Sequence, residues 1–244
     1  MVDHEPASLL RPISGGRVLD LATGAGGFIH QLLDGLKDWA EIIGIDTDGT
    51  KAEAFADAFA GVAGVRFELM DALDPVYPAA SFDTVSIADS LHHFPHAQAV
   101  LTRMRWLVRA GGTLIVNEMY RDHQTPAQLT HIRLHHWCAE VDRLAGKVHR
   151  PTYRRAQLAS LLKRLEMDDL RVIDVSATSE DPRDPATVEI LDAVIDRYLE
   201  AAIGHAQLEA RGQAVRGRLH TVGVHGATTL LAVGRKPVQP HSGS

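Results

Sequence analysis

Short apolar runs alternate with amphipathic stretches along most of the chain. The apolar runs have the length of strands, and between them apolar residues recur at helical spacing. This alternation predicts an α/β fold with a doubly wound, mostly parallel sheet of seven strands and helices on its faces. The predicted strands are Val18–Leu21, Ile42–Ile45, Val65–Met70, Thr84–Ala88, Thr113–Val116, Leu170–Val175 and Thr228–Val233.

Two stretches are longer than a minimal alternation of strands and helices needs. Residues 121–150 and 181–223 both carry helical patterns, and long insertions in a compact domain are usually functional. We expect the first to form a lid and the second to bind substrate or form a dimer, within a single domain spanning 1–244. The remaining helices are predicted near Phe28–Leu36, Lys51–Ala60, Ala97–Arg109 and Tyr153–Leu165.

Four of the early apolar runs end in an aspartate, namely Asp20, Asp46, Asp71 and Asp89. The carboxyl ends of parallel strands meet at one edge of a sheet, where open α/β sheets bind ligands. We therefore expect these carboxylates to line one crevice, which would repel phosphate and favour a ligand with positive charge.

A glycine loop, Thr23–Gly27, follows the first predicted strand and is typical of a nucleotide-containing cofactor. The NAD pattern places glycines at Gly24 and Gly26 and a third at the position of Ile29, so the third glycine is absent. An acid about 20 residues on, Asp46, keeps NAD open as an alternative. The acidic edge opposes a pyrophosphate, whereas S-adenosylmethionine has no phosphate and carries a sulfonium and an ammonium. The residues therefore favour S-adenosylmethionine.

The bulk composition excludes several classes of partner. The formal net charge is −6 and no segment is densely basic, so a nucleic-acid substrate is not expected. The single cysteine, Cys138, fits a reducing compartment. The sequence offers neither a secretory leader nor an apolar stretch long enough for a membrane helix, and a cytoplasmic location is predicted.

Five segments of the chain form a spaced set of motifs: Val18–Gly26, Ile45–Asp46, Met70–Ala72, Ser90–Phe94 and Arg105–Leu114. Together they resemble motifs of the class I S-adenosylmethionine-dependent methyltransferases, including members that act in quinone biosynthesis. Many members carry Gly-Cys where this chain has Ala22-Thr23. The resemblance implies a Rossmann-like sheet and S-adenosylmethionine as the methyl donor.

The resemblance also implies a set of cofactor-binding residues. Asp46 would bind both ribose hydroxyls, Asp71 would accept from the adenine amine, and Asp20 would lie near the ammonium. Gly24 and Gly26 would let the backbone pass the methionine moiety. The set is completed by Ala22, Thr47, Met70, Ala72, Asp89 and Ser90.

Histidine is the natural general base near neutral pH, if the nucleophile must lose a proton. His92 and His123 follow two predicted strands and are the candidate bases, although helix capping or packing would also explain them. His93 and Tyr120 are predicted to contact substrate. Glu118 follows the same predicted strand as Tyr120 and could border the pocket, although ordinary loop hydrogen bonding is the preferred interpretation.

The predicted lid helix, Pro126–Ala145, carries His131, His135, Cys138 and Asp142 on one face. A metal ion could use histidine and cysteine, but ligands spread over three turns cannot all reach one ion. No metal site is predicted. We expect His131 and His135 to contact substrate, and the alternative is that this polar face of the helix is turned to solvent.

Together these observations predict transfer of a methyl group from S-adenosylmethionine to a small-molecule acceptor. An oxygen nucleophile is the first choice, followed by nitrogen and carbon. The alternatives are an NAD-dependent oxidoreductase and a non-catalytic S-adenosylmethionine-binding module. Neither nucleic acid nor a membrane is an expected partner, and the 181–223 element allows for a homodimer.

Overall fold

The computed structural model describes residues 6–176 and 181–238. Its centre is a seven-stranded sheet in the order β3-β2-β1-β4-β5-β7-β6, and β7 runs antiparallel to both of its neighbours. The predicted doubly wound, mostly parallel sheet is confirmed. The strands are β1 (Arg17–Leu21), β2 (Glu41–Asp46), β3 (Val65–Leu69), β4 (Phe82–Ala88), β5 (Val108–Met119), β6 (Asp168–Val175) and β7 (Thr229–Arg235).

The order of the strands creates a switch point between β1 and β4. The chain runs outward from β1 through β2 to β3 and then returns to place β4 on the other side of β1. Ligands of open α/β sheets bind at the carboxyl ends of strands beside such a point. The glycine loop after β1 and the turn after β4 both lie at this edge.

Strand β5 begins five residues before the predicted start. The sequence predicted that Gly111-Gly112 would end a helix and lead into a strand at Thr113, whereas the helix already ends at Leu107. Val108 pairs with Phe82 of β4 across an irregular register, and Gly111 N donates to Lys236 O at 2.8 Å. These long-range pairings extend β5 through both glycines.

Helices cover both faces of the sheet and enclose two apolar layers. A short first helix, α1, was not predicted from the sequence. Within the described ranges, none of the helices is both long and apolar enough to cross a lipid bilayer. The helices are α1 (Pro6–Leu10), α2 (Gly27–Gly35), α3 (Ala52–Ala58), α4 (Ala97–Leu107), α5 (Pro126–Leu144), α6 (Arg155–Lys163), α7 (Pro185–Ala201) and α8 (Ala206–Val222).

The two insertions predicted from the sequence pack against each other. Helices α5, α7 and α8 share a third apolar cluster around Trp137, whose Nε1 donates to Leu208 O at 2.9 Å. A Cβ atom added to Gly212 of α8 would lie 2.4 Å from the Trp137 ring, so this close approach requires a glycine. The helices of the 181–223 element therefore pack against the predicted lid helix of the same chain.

Candidate active site

The loop after β1 turns sharply at the carboxyl edge of the sheet. Ala22, Gly24 and Gly26 all have positive φ, at 52°, 54° and 86°. A Cβ added to Gly24 would meet no atom within 4 Å, whereas one added to Gly26 would lie 2.2 Å from Phe59. Gly26 is thus required by packing, and Gly24 presents open backbone that a ligand can approach closely.

Asp46, at the end of β2, holds this loop by hydrogen bonds. Its Oδ2 accepts from Gly24 N and its Oδ1 accepts from Asp48 N, both at 2.9 Å. The carboxylate is half-buried, and the adjacent Thr47 is exposed. A carboxylate fixed beside open loop backbone has the acceptors that a ribose diol needs.

The segment after β3 brings a second acid to the same edge. Asp71 is exposed, and its Oδ1 accepts from Leu73 N at 2.8 Å. Its two neighbours in the chain are less exposed: Met70 is half-buried and Ala72 is buried. An aromatic amine and its ring would find a polar acceptor and apolar contacts here, so the residues fit an adenosyl group that lacks phosphate.

Asp20 lies underneath the loop. It is 1% exposed and accepts hydrogen bonds from Thr23 Oγ1 and Ser86 Oγ, each at 2.7 Å. Burial raises the pKa of Asp20 to about 6, and Asp46 nearby adds to this rise. Both Asp20 oxygens accept hydrogen bonds from hydroxyls, and the contact of Asp20 with an ammonium group stays a prediction from the sequence. Its role here is to position Thr23.

We expect Asp20→Asn to remove a pH dependence of stability. The folded protein binds the Asp20 proton more tightly than the unfolded chain does, with a pKa of about 6 against 3.8. The stabilisation from this group is therefore complete below about pH 3.8 and disappears as the pH rises through about 6, a change of about 3 kcal/mol. Denaturant unfolding at pH 4, 5, 6 and 7 should show the Asn variant gaining stability relative to wild type as the pH rises.

The matched control is Asp34→Asn on the exposed face of α2, which makes the same change of charge. Its stability should follow the wild-type pH profile. Parallel profiles for wild type and the Asp20 variant would contradict a raised pKa at this site.

The turn after β4 is held by a buried acid from β5. Glu118 is 0% exposed, and its Oε2 accepts from Ser90 N at 3.0 Å and Leu91 N at 2.8 Å. Its Oε1 lies 2.6 Å from His92 Nδ1. Burial raises the pKa of Glu118 to about 8. Glu118 lies within β5 rather than after it, and its hydrogen bonds to the turn after β4 agree with the expected loop hydrogen bonding.

Asp89 and Ser90 form the border of the crevice. Asp89 adopts φ 43° and accepts from Met119 N at 3.0 Å, while Ser90 Oγ donates to Ala88 O at 2.6 Å. Burial and the neighbouring Glu118 raise the pKa of Asp89 to about 7. These two residues lie where β1 and β4 diverge, since Ser90 Oγ also lies 3.3 Å from Ala22 O.

His92 belongs to a group of four histidines that we call the imidazole cluster, composed of His92, His93, His135 and His149. Ring centroids are 4.3 Å apart for His92–His93 and 4.1 Å apart for His93–His149. His135 lies 4.7 Å from both His92 and His149. Burial lowers the pKa of His92 to about 4, so its imidazole is neutral near pH 7.

The structure brings together only part of the predicted substrate contacts. His93 and His135 join the imidazole cluster, but His131 accepts from Ala227 N at 2.9 Å. Tyr120 is buried in the core beside Tyr153. His123 is 78% exposed in the turn after β5, with only Asp122 within ion-pair distance among the described residues. Roles of His131, Tyr120 and His123 at the site stay predictions from the sequence.

The predicted polar face of α5 divides between two environments. Asp142 Oδ2 lies 2.7 Å from His149 Nδ1, and this hydrogen bond connects Asp142 to the imidazole cluster. Cys138 packs in the apolar cluster with Trp137, and burial raises its pKa to about 12. The sequence missed His149, a single histidine in the irregular segment between α5 and α6 that carries no periodic signal.

A separate cleft of about 780 Å³ opens at the opposite edge of the sheet. It is lined by the amino-terminal ends of β4 and β5, where Asp83 pairs with Arg109. None of the predicted cofactor residues lines this cleft. The crevice at the carboxyl edge remains the candidate site.

Comparison with known families and proteins gives a consistent result. The model of a family described as a methyltransferase domain matches residues 13–164. Nocamycin O-methyltransferase of Saccharothrix syringae is 32% identical over 108 residues, covering 43% of this chain and 39% of that protein. Demethylmenaquinone methyltransferase of Deinococcus radiodurans is 37% identical over 103 residues, covering 42% of each. The matches thus span about two-fifths of these relatives.

Solved structures share the fold at low sequence identity. Phosphoethanolamine N-methyltransferase 2 of Haemonchus contortus, in complex with S-adenosyl-L-methionine, superposes with a TM-score of 0.56 at 16% identity, over 92% of this chain and 49% of that one. The [4+2]-cyclase SpnF superposes with a TM-score of 0.62 at 21% identity, over 95% of this chain and 78% of that one. At these identities the likeness concerns the fold alone.

Proposed function

This chain belongs to the methyltransferase domain family. We propose that it transfers a methyl group from S-adenosylmethionine to an oxygen atom of a small-molecule acceptor. The main support for S-adenosylmethionine as the donor is the acidic carboxyl edge of the sheet. Asp46 tethers the open backbone of Gly24, and Asp71 lies at the end of the next strand. A pyrophosphate would be repelled there, whereas a cationic donor is attracted.

The proposed cofactor residues act mainly by binding and orientation. Asp46 accepts from the ribose hydroxyls and Asp71 from the adenine amine, with Met70 and Ala72 against the ring. Asp20 supports the loop from below through Thr23. S-adenosylmethionine supplies an electrophilic methyl group on its sulfonium. Alignment of donor and acceptor and exclusion of water can then provide most of the acceleration.

The acceptor side is bordered by Asp89, Ser90 and the imidazole cluster. His93 is the exposed member, while His92 is 0% exposed behind it. An acceptor cannot reach His92 directly in this geometry, so we do not assign it the role of general base that the sequence suggested. The names of the two relatives, nocamycin O-methyltransferase and demethylmenaquinone methyltransferase, support a small-molecule acceptor, and the first of them supports an oxygen nucleophile.

We extend the proposal to the whole chain as one domain, 1–244. Helix α5 would be the lid, with α7 and α8 supporting it through the cluster around Trp137. Dimer formation and a cytoplasmic location stay predictions from the sequence.

The test of this function is release of S-adenosylhomocysteine in the presence of candidate acceptors. We expect turnover with members of a panel of hydroxylated polyketides and quinols, and less with matched amines and carbon acids. Asp46→Ala serves as the impaired control. Cofactor binding with no turnover across the panel would favour a non-catalytic binding module, and hydride transfer with NAD would favour an oxidoreductase.

A further inference from the structure

Three imidazoles of the cluster converge on one point at the rim of the crevice. One ring nitrogen from each of His92, His93 and His149 lies within 4.8 Å of the other two. His92 and His93 lie in the turn after β4, and His149 comes from the segment between α5 and α6. Convergence of ring nitrogens from separate segments is typical of sites for divalent transition metals.

Two of these rings are oriented by acidic side chains, one of them buried and the other partly buried. His92 Nδ1 lies 2.6 Å from Glu118 Oε1, and His149 Nδ1 lies 2.7 Å from Asp142 Oδ2. Metal-binding histidines commonly donate one ring N–H to a carboxylate, which fixes the tautomer and leaves the other nitrogen free to coordinate. The arrangement occurs twice here, at His92 and at His149.

Of the two remaining nitrogens, one lacks a hydrogen-bond partner, and a metal ion would have to displace the partner of the other. His92 Nε2 is fully buried and has no hydrogen-bond partner among the described residues. His149 Nε2 faces His135 Nε2 at 3.0 Å, so one of these two imidazoles must supply the proton between them. Leaving a buried polar nitrogen unpaired is costly, and a bound cation would satisfy it.

We propose that His92, His93 and His149 bind a divalent transition-metal ion of the zinc type, with a fourth coordination position left open. Three neutral imidazoles with an open position are a known zinc arrangement. This inference replaces the sequence-based expectation of no metal site and uses a different set from the row on α5. It goes beyond methyl transfer and does not rest on it.

The ion would have a structural consequence as well. His149 lies in the irregular segment 145–154, whereas His92 and His93 lie in the turn after β4. A bound ion would therefore fix this segment, and with it the end of α5, against the crevice. Metal binding should raise the melting temperature, because a ligand that binds only the folded state stabilises it.

The test is titration of the full-length, chelator-treated protein with zinc against a chromophoric competitor. We expect binding of one equivalent, a higher melting temperature, and visible cobalt bands typical of four-coordination when Co²⁺ is substituted. His93→Ala, at an exposed position, should fold and lose at least tenfold in affinity. His205→Gln, an exposed histidine outside the cluster, should bind as wild type does.

Glu118→Gln separates metal binding from a merely structural role. The amide oxygen can accept from Ser90 N and Leu91 N, while the amide nitrogen faces His92 Nδ1 and forces the proton onto Nε2. Zinc affinity should fall about 10- to 100-fold while the metal-free variant keeps its fold. The proposal is overturned if wild type binds no zinc, or if His93→Ala and Glu118→Gln both bind it as wild type does, since binding would then be adventitious.

Discussion

Asp46→Ala is expected to weaken binding of S-adenosylmethionine by roughly 10- to 100-fold. The change removes the proposed acceptor of the ribose hydroxyls, and a hydrogen bond to a charged group contributes about 1.5–3 kcal/mol. It also removes the acceptor for Gly24 N and Asp48 N, which hold the loop. Titration calorimetry measures the change directly.

The matched control for this prediction is Asp34→Ala, which removes a carboxylate from the exposed face of α2. Asp46→Asn should lie between Ala and wild type, because its amide oxygen can still accept one hydrogen bond. Equal dissociation constants for wild type and Asp46→Ala would refute the role of Asp46 in binding the donor.

Glu118→Ala is expected to lower the free energy of unfolding by about 3–5 kcal/mol. The change leaves two backbone N–H groups and His92 Nδ1 without their buried acceptor, and it opens a cavity. The loss should be visible as a lower midpoint in denaturant unfolding with an unchanged slope.

Two variants make this second prediction specific. Glu118→Gln preserves the volume and most hydrogen bonds, so it should lose far less stability than Ala. Glu189→Ala, on the exposed side of α7, should stay within about 0.5 kcal/mol of wild type. A Glu118→Ala variant as stable as the Glu189 control would show that the buried acid does not anchor the turn after β4.

The sequence predicted the sheet well because strand length and helical spacing are local signals. Parallel pairing of β2 with β3 brings Asp46 and Asp71 to one edge, as the sequence predicted, whereas the order of the seven strands was not predicted. The predicted start of β5 was wrong, because the strand is extended by pairing of Val108 with Phe82 and of Gly111 with Lys236, which are distant in the chain.

Details of the site depended on contacts that a linear pattern does not contain. Asp20 is buried within β1 and accepts from Ser86 of the neighbouring strand, whereas Asp46 ends β2 half-buried and accepts from Gly24 of the loop. His149 has no periodic relation to His92, and only the path of the segment after α5 brings them together. Family resemblance could identify the proposed donor-binding residues, but it did not indicate the imidazole cluster.

Titration calorimetry of the wild-type chain with S-adenosylmethionine and, separately, with NAD tests whether the acidic edge of the sheet binds the methyl donor rather than a phosphate-bearing dinucleotide. We predict one site for S-adenosylmethionine in the micromolar range, corresponding to about 8 kcal/mol, and no heat of binding with NAD. Tight binding of NAD without binding of S-adenosylmethionine would refute the proposed donor.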